Sequence, residues 1–191
     1  LAGHSLGEWS ALVASGAVAF TDAVRLVRER GRLMQAAVPE GEGTMMAVMG
    51  LQPDVITRVC LEAAEEAGAV FTAANFNAPE QTVVSGHTRA APLAEERLKA
   101  AGAKKVVHLS VSAPFHSPLM APVGRGLDEA LTPVAIDPPR APVITNVEAA
   151  PNRDPARVKR LLVEQVTHPV RWVEVVRHVV QSGETLAFEL G

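Results

Sequence analysis

From Gly43 to about Ser112 the sequence alternates between two hydrophobic periods in a fixed order, and that order restricts the fold more than any other feature. Thr44–Leu51 is short and apolar and reads as a strand, and Pro53–Gly68 has helical spacing with proline at its start. Val70–Phe76 and Thr82–Ser85 read as strands joined by Asn77-Ala78-Pro79-Glu80. Thr88–Ala101 reads as a helix closed by Gly102, and Lys105–Val111 as a further strand. The order β-α-β-β-α-β within about 70 residues is the split βαβ arrangement of a ferredoxin-like unit, which buries one face of its sheet under two helices. Residues 43–112 are therefore expected to form a small subdomain inserted into a larger one made of residues 1–42 and 113–191.

The flanking stretches are mostly helical in pattern. Leu6–Ser15 places Leu6, Trp9, Leu12 and Val13 on one face and stops at Gly16. Thr21 is the expected N-cap of a second helix running from Asp22 to about Val38. Ser117-Pro118 has the form of an N-cap followed by an N1 proline, opening a helix to about Leu131. After the proline-rich Pro133–Pro142 come a strand at Val143–Val147, helices at Pro155–Thr167 and Trp172–Gln181, and a last buried strand at Leu186–Leu190.

Composition excludes several classes. With 191 residues, 48% of them hydrophobic, and a formal net charge of −3, the chain has no global attraction to nucleic acid or an anionic membrane. No apolar run reaches the roughly 20 residues a membrane-spanning helix needs. A single cysteine, Cys60, rules out an internal disulfide and supplies no metal cluster. The expectation is a cytoplasmic globular protein with no metal. The chain opens at Leu1 rather than Met and stops just as the apolar run Leu186–Leu190 reaches Gly191, so both ends are expected to be cut from something longer.

Three residues have chemistry to offer. Gly3-His4-Ser5-Leu6-Gly7 fits G-x-S-x-G, the turn that exposes a serine hydroxyl at a helix N-terminus. The N–H of Leu6 would point where an oxyanion forms, and the helix dipole favours negative charge there. A serine needs a base, and there are six histidines. His4 would point away from the hydroxyl. His87 reads as a turn residue, His108 as part of a strand, His168 as a helix-end cap and His178 as part of a helix face. His116 lies in Ala113-Pro114-Phe115-His116-Ser117-Pro118, a segment stiffened by prolines directly before a helix. A rigid base has less orientational entropy to lose, and a helix N-terminus disfavours the imidazolium. The alternative is a structural histidine in a tight turn.

Arg30 stands out among the arginines of its helix, because its neighbours at three and four residues are Leu26, Val27, Leu33 and Met34. A guanidinium on the core stripe needs an anion. That anion is an internal carboxylate or a bound substrate carboxylate, unless the side chain snorkels to the surface. Asn75 and Asn77 around Phe76 are possible cleft-lining residues, although Asn is ordinary in turns. Arg89, Arg97, Lys99, Lys104 and Lys105 make the second half of the small subdomain basic, as a solvated face or as an attraction for an acidic protein.

Taken in order, Gly3–Glu8, Arg30–Gln35, Gly43–Ala47, Asn75–Pro79, Val84–Gly86, Pro114–Ser117, Pro169–Trp172 and Phe188–Gly191 closely resemble the malonyl-CoA:acyl carrier protein transacylases of type II fatty acid synthesis. The resemblance covers essentially the whole chain. It implies an α/β-hydrolase-like large subdomain with a ferredoxin-like insertion, and malonyl transfer from malonyl-CoA to the phosphopantetheine thiol of acyl carrier protein through an acyl-serine. Ser5 would be the nucleophile, His116 its base in a Ser–His dyad, Leu6 an oxyanion donor, and Arg30 the site for the malonyl carboxylate. The main-chain carbonyl of Arg171 would orient the histidine. Phe115 is similar to malonyl-selective members, where polyketide acyltransferases choosing methylmalonyl usually have serine. The family's large subdomain begins many residues earlier and supplies a second oxyanion donor, so the chain is expected to be an internal portion, without the N-terminal part and the extreme C-terminus.

The resemblance further implies no permanently bound cofactor, coenzyme A and phosphopantetheine entering as parts of the substrates. It implies a monomer with no nucleic-acid or membrane partner. The alternatives are an acyltransferase domain of a polyketide synthase, an esterase using the same serine turn, and a non-catalytic docking module. An esterase would normally add an Asp or Glu to orient the histidine.

Overall fold

The computed structural model describes residues 1–111, 113–183 and 185–189. The protein is α/β, with helices packed around and beside an antiparallel sheet. In chain order the elements begin with α1 (Leu6–Ala14) and α2 (Phe20–Ala36). There follow β1 (Gly43–Met49), α3 (Pro53–Glu66), β2 (Phe71–Ala78), β3 (Gln81–His87), α4 (Ala91–Ala100) and β4 (Lys105–His108). The chain continues through α5 (Ala121–Leu131), β5 (Val143–Ile144), β6 (Pro151–Asn152), α6 (Pro155–Gln165) and α7 (Trp172–Gln181).

The four-stranded sheet has the order β2-β3-β1-β4, and every neighbouring pair is antiparallel. Its strands alternate as the pleat requires. Met46, Val48, Phe71 and Val84 face a core filled by Ile56, Cys60 and Ala63 of α3 and by Ala94 and Leu98 of α4. Met45, Ala47, Ala74 and Val83 face the other way and meet Phe115. A separate core joins Trp9, Leu12, Leu26, Met34, Leu127 and Leu162, and Phe115 packs against this one too. Burying each large apolar side chain contributes about 1.5–3 kcal/mol, so Phe115 ties two independently favourable cores together.

Strand β2 is bulged. Ala74 and Asn77 have no partner on β3. As an edge strand β2 also has backbone groups left for the rest of the chain: Val170 N–H donates to Ala74 O, and Phe76 N–H donates to Val170 O, each at 2.9 Å. The sheet edge is thereby pinned to the segment leading into α7.

Several element boundaries differ from the sequence expectation. The second helix is capped by Ala19, whose carbonyl accepts from Ala23 N–H, and begins at Phe20, so Thr21 lies inside its first turn. The predicted strand at 143–147 pairs only over Val143–Ile144, with a β6 the sequence did not signal. A turn interrupts it: Ala149 sits at φ 52°, and Thr145 N–H reaches Ala150 O. The expected buried strand at 186–190 is not formed over residues 186–189. Leu186 and Phe188 are 70% and 81% exposed, because no described strand lies beside them to pair with. Leu190 and Gly191 of that prediction, and the boundary residue Ser112, lie outside the described residues. No helix among the described residues is long and apolar enough to cross a membrane.

Candidate active site

The serine turn begins as a strand. Ala2 makes a parallel bridge to Ile144, and Ile144 N–H donates to Leu1 O, so the chain arrives extended beside β5 before turning into α1. The turn is sharp: Ser5 has φ 49° and ψ −97°, a left-handed conformation costing about 1–3 kcal/mol for a residue with a side chain. Main-chain bonds hold it there, with Gly7 N–H on His4 O and Glu8 N–H on Ser5 O. Gly3 is sterically required, since a Cβ on it would lie 2.0 Å from the carbonyl carbon and oxygen of Gly7. Gly7 itself faces open space at its Cβ position.

The hydroxyl so exposed meets His116. Ser5 Oγ is 2.8 Å from His116 Nε2, and His116 Nδ1 is 2.9 Å from the main-chain carbonyl of Gln165. A carbonyl only accepts, so Nδ1 carries the proton and Nε2 is free to accept from the serine. His116 also has a positive φ, 57°, set between Phe115, whose carbonyl accepts from Ser85 Oγ, and Ser117, whose hydroxyl donates to Pro114 O. Burial pushes the imidazole pKa down to about 4, the charge of Arg30 adding to this and the Gln165 carbonyl opposing it. The neutrality expected from a helix end thus comes mainly from desolvation.

The orienting carbonyl corrects the sequence expectation. Arg171 does not hold His116: its residue caps α7, its carbonyl accepts from Glu174 and Val175 N–H, and its guanidinium pairs with Glu174. The carbonyl of Gln165, at the C-terminal end of α6, takes that place, being available because the last carbonyls of a helix have no partner within it. His116 Nδ1 therefore faces an amide carbonyl where a hydrolase triad would place a carboxylate.

Arg30 enters from α2 and is 7% exposed. Its Nη2 donates to Ser5 Oγ at 2.8 Å and to Gln165 Oε1 at 3.2 Å, while Nε is buried without a partner among the described residues. Burial lowers its pKa to about 10, still well above neutrality, and the charge of Glu8 opposes the shift. A cation is thus fixed at the Ser5 hydroxyl.

Glu8, Asn146 and Gln165, three buried polar residues to which the sequence reading gives no role, complete the cluster. Asn146 Oδ1 accepts from Ser5 N–H at 2.6 Å, and its Nδ2 donates to Gly3 O. Gln165 Nε2 donates to Ser5 O and to Glu8 Oε2, and Glu8 Oε2 accepts again from Asn146 N–H. Burial raises the Glu8 carboxyl to about 7. Half of the test that singles out Arg30 also fits Gln165, whose neighbours at −3 and −4 are Leu162 and Leu161, while those at +3 and +4 are His168 and Pro169. Asn146, in an irregular turn, carries no such signal.

The remaining candidates fall around this centre. Leu6 opens α1, and its N–H is among the first-turn donors with no partner within the helix. His4 points away from the hydroxyl, its Nε2 lying 2.8 Å from Asn77 Oδ1 and its ring edge-on to Trp172 at 5.5 Å. Asn77 gets there because it is a bulge residue. Asn75 is buried and bridges to Val170, and Phe115 precedes the histidine between the two cores. Elsewhere His87 accepts from Val70 N–H, His108 pairs with Glu95, and His168 bonds to Glu164 O at a helix end. Cys60 is packed in the sheet core, its thiol pushed up to about 12 by burial. Among the described residues no group of three or more His, Cys, Asp or Glu side chains is placed to hold a metal ion.

Comparison with known proteins places this arrangement among its relatives. A family model described as an acyl transferase domain matches residues 1–190. The malonyl CoA-acyl carrier protein transacylase of Salmonella typhimurium is 44% identical over 191 residues, covering 100% of this chain and 61% of its own length. The Bacillus subtilis protein of the same name is 44% identical over 190 residues, covering 100% of this chain and 60% of its own length. The chain thus spans about three fifths of the curated relatives it matches. An acyl carrier protein S-malonyltransferase from Vibrio cholerae superposes with a TM-score of 0.93 at 43% identity, covering 96% of this chain and 59% of that one. A malonyl-transacylase solved in complex with a type II polyketide acyl-carrier protein gives 0.92 at 42% identity, covering 95% and 58%.

Proposed function

The chain belongs to the acyl transferase domain family, and from that premise we propose that it moves a malonyl group from malonyl-CoA to the phosphopantetheine thiol of acyl carrier protein, through an ester on Ser5. The observation carrying this reading is the continuous hydrogen-bonded line from Arg30 Nη2 to Ser5 Oγ, on to His116, and out to Gln165 O.

In the first half-reaction Ser5 Oγ attacks the thioester carbonyl as its proton passes to His116 Nε2. The imidazolium is steadied through Nδ1–H by the Gln165 carbonyl, and the tetrahedral oxyanion takes the Leu6 N–H. Collapse expels the coenzyme A thiolate, which receives the proton from Nε2. In the second half the carrier thiol gives its proton to Nε2 and its sulfur attacks the ester; the Ser5–acyl bond breaks and Oγ is reprotonated. Arg30 already touches Oγ, so a short acyl group ending in a carboxylate finds its counter-ion within reach. An acetyl group would leave the buried guanidinium unpaired.

The reading extends to architecture. We assign residues 1–42 and 113–191 to an α/β-hydrolase-like subdomain and 43–112 to a ferredoxin-like one. Support comes from the all-antiparallel order β2-β3-β1-β4 and from the separate cores that Phe115 joins. The serine lies in the first and the bulged edge carrying Asn75 and Asn77 in the second, with the cleft between them.

Intact-mass spectrometry after mixing with malonyl-CoA, and separately with acetyl-CoA, tests the proposal. A malonyl adduct absent from Ser5→Ala, with the preference over acetyl lost in Arg30→Ala, is the expected result. Acyl transfer persisting in Ser5→Ala would overturn it.

A further inference from the structure

Glu8 is the one acidic side chain buried below a tenth exposure among the described residues, and the acyl-transfer steps do not use it. It lies three residues after Ser5, one helical turn along α1, and is 2% exposed. Its Oε2 accepts from Gln165 Nε2 at 2.8 Å and from Asn146 N–H at 3.0 Å. These two residues hold everything that reacts. Asn146 grips the main-chain N–H of Ser5 and the carbonyl of Gly3. Gln165 grips the Ser5 carbonyl and Arg30 with its side chain, and His116 with its main chain.

The side-chain amide of Gln165 has two ends of nearly equal shape and opposite polarity. A carboxylate at one end and a guanidinium at the other allow one orientation: NH₂ toward Glu8, oxygen toward Arg30. Reversed, the amide would set an oxygen against the Glu8 oxygen and N–H groups against Arg30. Without a charge at position 8 the amide keeps only the Ser5 carbonyl and Arg30 to orient it, and the acceptor that aims Arg30 Nη2 at Ser5 is held less firmly.

We propose that Glu8 is a positioning residue, whose buried carboxylate fixes the Gln165 amide and through it aligns Arg30 and Ser5. The proposal rests on Ser5 being the acylated nucleophile. A buried charge is costly, and here the cost is offset by two N–H donors and a nearby cation. The carboxyl of Glu8 therefore acts on the reaction without touching a substrate.

The experiment compares the full chain with Glu8→Gln above about pH 8, where a carboxyl raised to about 7 is ionised; the variant keeps the shape and removes the charge. Two rates are read: labelling of Ser5 by a general serine-directed sulfonyl fluoride, and acylation by malonyl-CoA against acetyl-CoA. The expected result is a folded variant with labelling about tenfold slower or more, and with malonyl preference reduced by a similar factor. Wild-type labelling rate and preference in Glu8→Gln overturn the proposal. If Glu8→Gln does not fold, Glu8→Asp, which retains the charge one methylene farther from Gln165, is expected to show a smaller loss of both; an unchanged rate there overturns the proposal equally. Labelling reports Ser5 whatever its substrate, so a wild-type chain that labels but takes no malonyl group would count against the acyl assignment and leave the role of Glu8 to be judged on the labelling rates.

Discussion

Arg30 Nη2 donates to Ser5 Oγ at 2.8 Å, and that same oxygen lies 2.8 Å from His116 Nε2. The Ser5 hydroxyl is therefore held between a cation and a neutral imidazole. The base can take the hydroxyl proton, and the cation favours the charge left behind. One guanidinium can thus serve the serine before acylation and a carboxylate on the acyl group after it.

Arg30→Ala is expected to lower the specificity constant for malonyl-CoA by about a hundredfold, and that for acetyl-CoA by much less. Arg30→Lys should not restore the malonyl rate, because one ammonium on a flexible stem does not reproduce a planar fork reaching both Ser5 and Gln165. Steady-state kinetics with the two thioesters decide it. Equal losses for both would mean that Arg30 serves the serine and not the acyl carboxylate.

Gly3→Ala should destabilise the protein by about 3 kcal/mol or more and silence Ser5 toward serine reagents, because the added methyl meets backbone that cannot yield. Gly7→Ala is expected to leave the thermal midpoint unchanged or raise it, since alanine is about 1 kcal/mol better than glycine in a helix and the space is open. Thermal unfolding of the two variants side by side tests the asymmetry. Similar losses would contradict it.

The pH dependence of stability has opposed parts. His116, lowered by burial to about 4 from 6.5, is protonated in the unfolded chain and not in the folded one between those values, so its effect is stability that rises with pH. Glu8, raised by burial to about 7 from 4.5, holds its proton in the folded chain where the unfolded chain has lost it, so its effect is stability that falls with pH. From about pH 4.5 to 6.5 the two slopes nearly cancel. The paired surface carboxyls Glu29, Glu95, Glu148 and Glu174 are lowered by their cationic partners and act mainly below that window. Urea midpoints are expected to be nearly flat across it in the wild type and to rise with pH in Glu8→Gln. Parallel profiles would refute the assignment.

Phe115→Ser is expected to cost about 2 kcal/mol, since the ring is only partly buried but bridges two cores. Any broadening of the acyl groups accepted should accompany that loss. Chemical denaturation of the variant, with acylation by branched and unbranched thioesters, measures both. A variant as stable as the wild type would show that the ring does no bridging.

Much of this was legible along the chain. The alternation of Met45 to Val48, the helical stripe around Arg30, and the glycine before Ser5 each reflect local rules: side-chain period, helical spacing, and the steric cost of a Cβ. These rules placed α1, α3, α7 and the strands β1 to β3 within a residue or two, ran the expected strand at 105–111 three residues past the end of β4, and pointed to Ser5, His116 and Arg30. They failed where an element needs a partner to exist. Leu186–Glu189 has the composition of a strand and nothing described beside it, and β6 has a partner but no strand-like composition.

What the sequence by itself determined is which groups are chemically able and which backbone can carry them: a serine on a turn that only glycine at position 3 permits, a histidine in a proline-stiffened segment, and an arginine on an apolar stripe. What only the tertiary structure decided is which groups meet. Gln165 rather than Arg171 holds His116, Asn146 reaches Ser5 across 141 positions, and Glu8 lies beneath both. The physical reason is range. Conformational preference and periodicity act over a few residues, whereas a hydrogen bond between distant segments depends on how whole helices pack. A main-chain carbonyl, being the same in every residue, leaves no mark in the sequence to announce which one will be used.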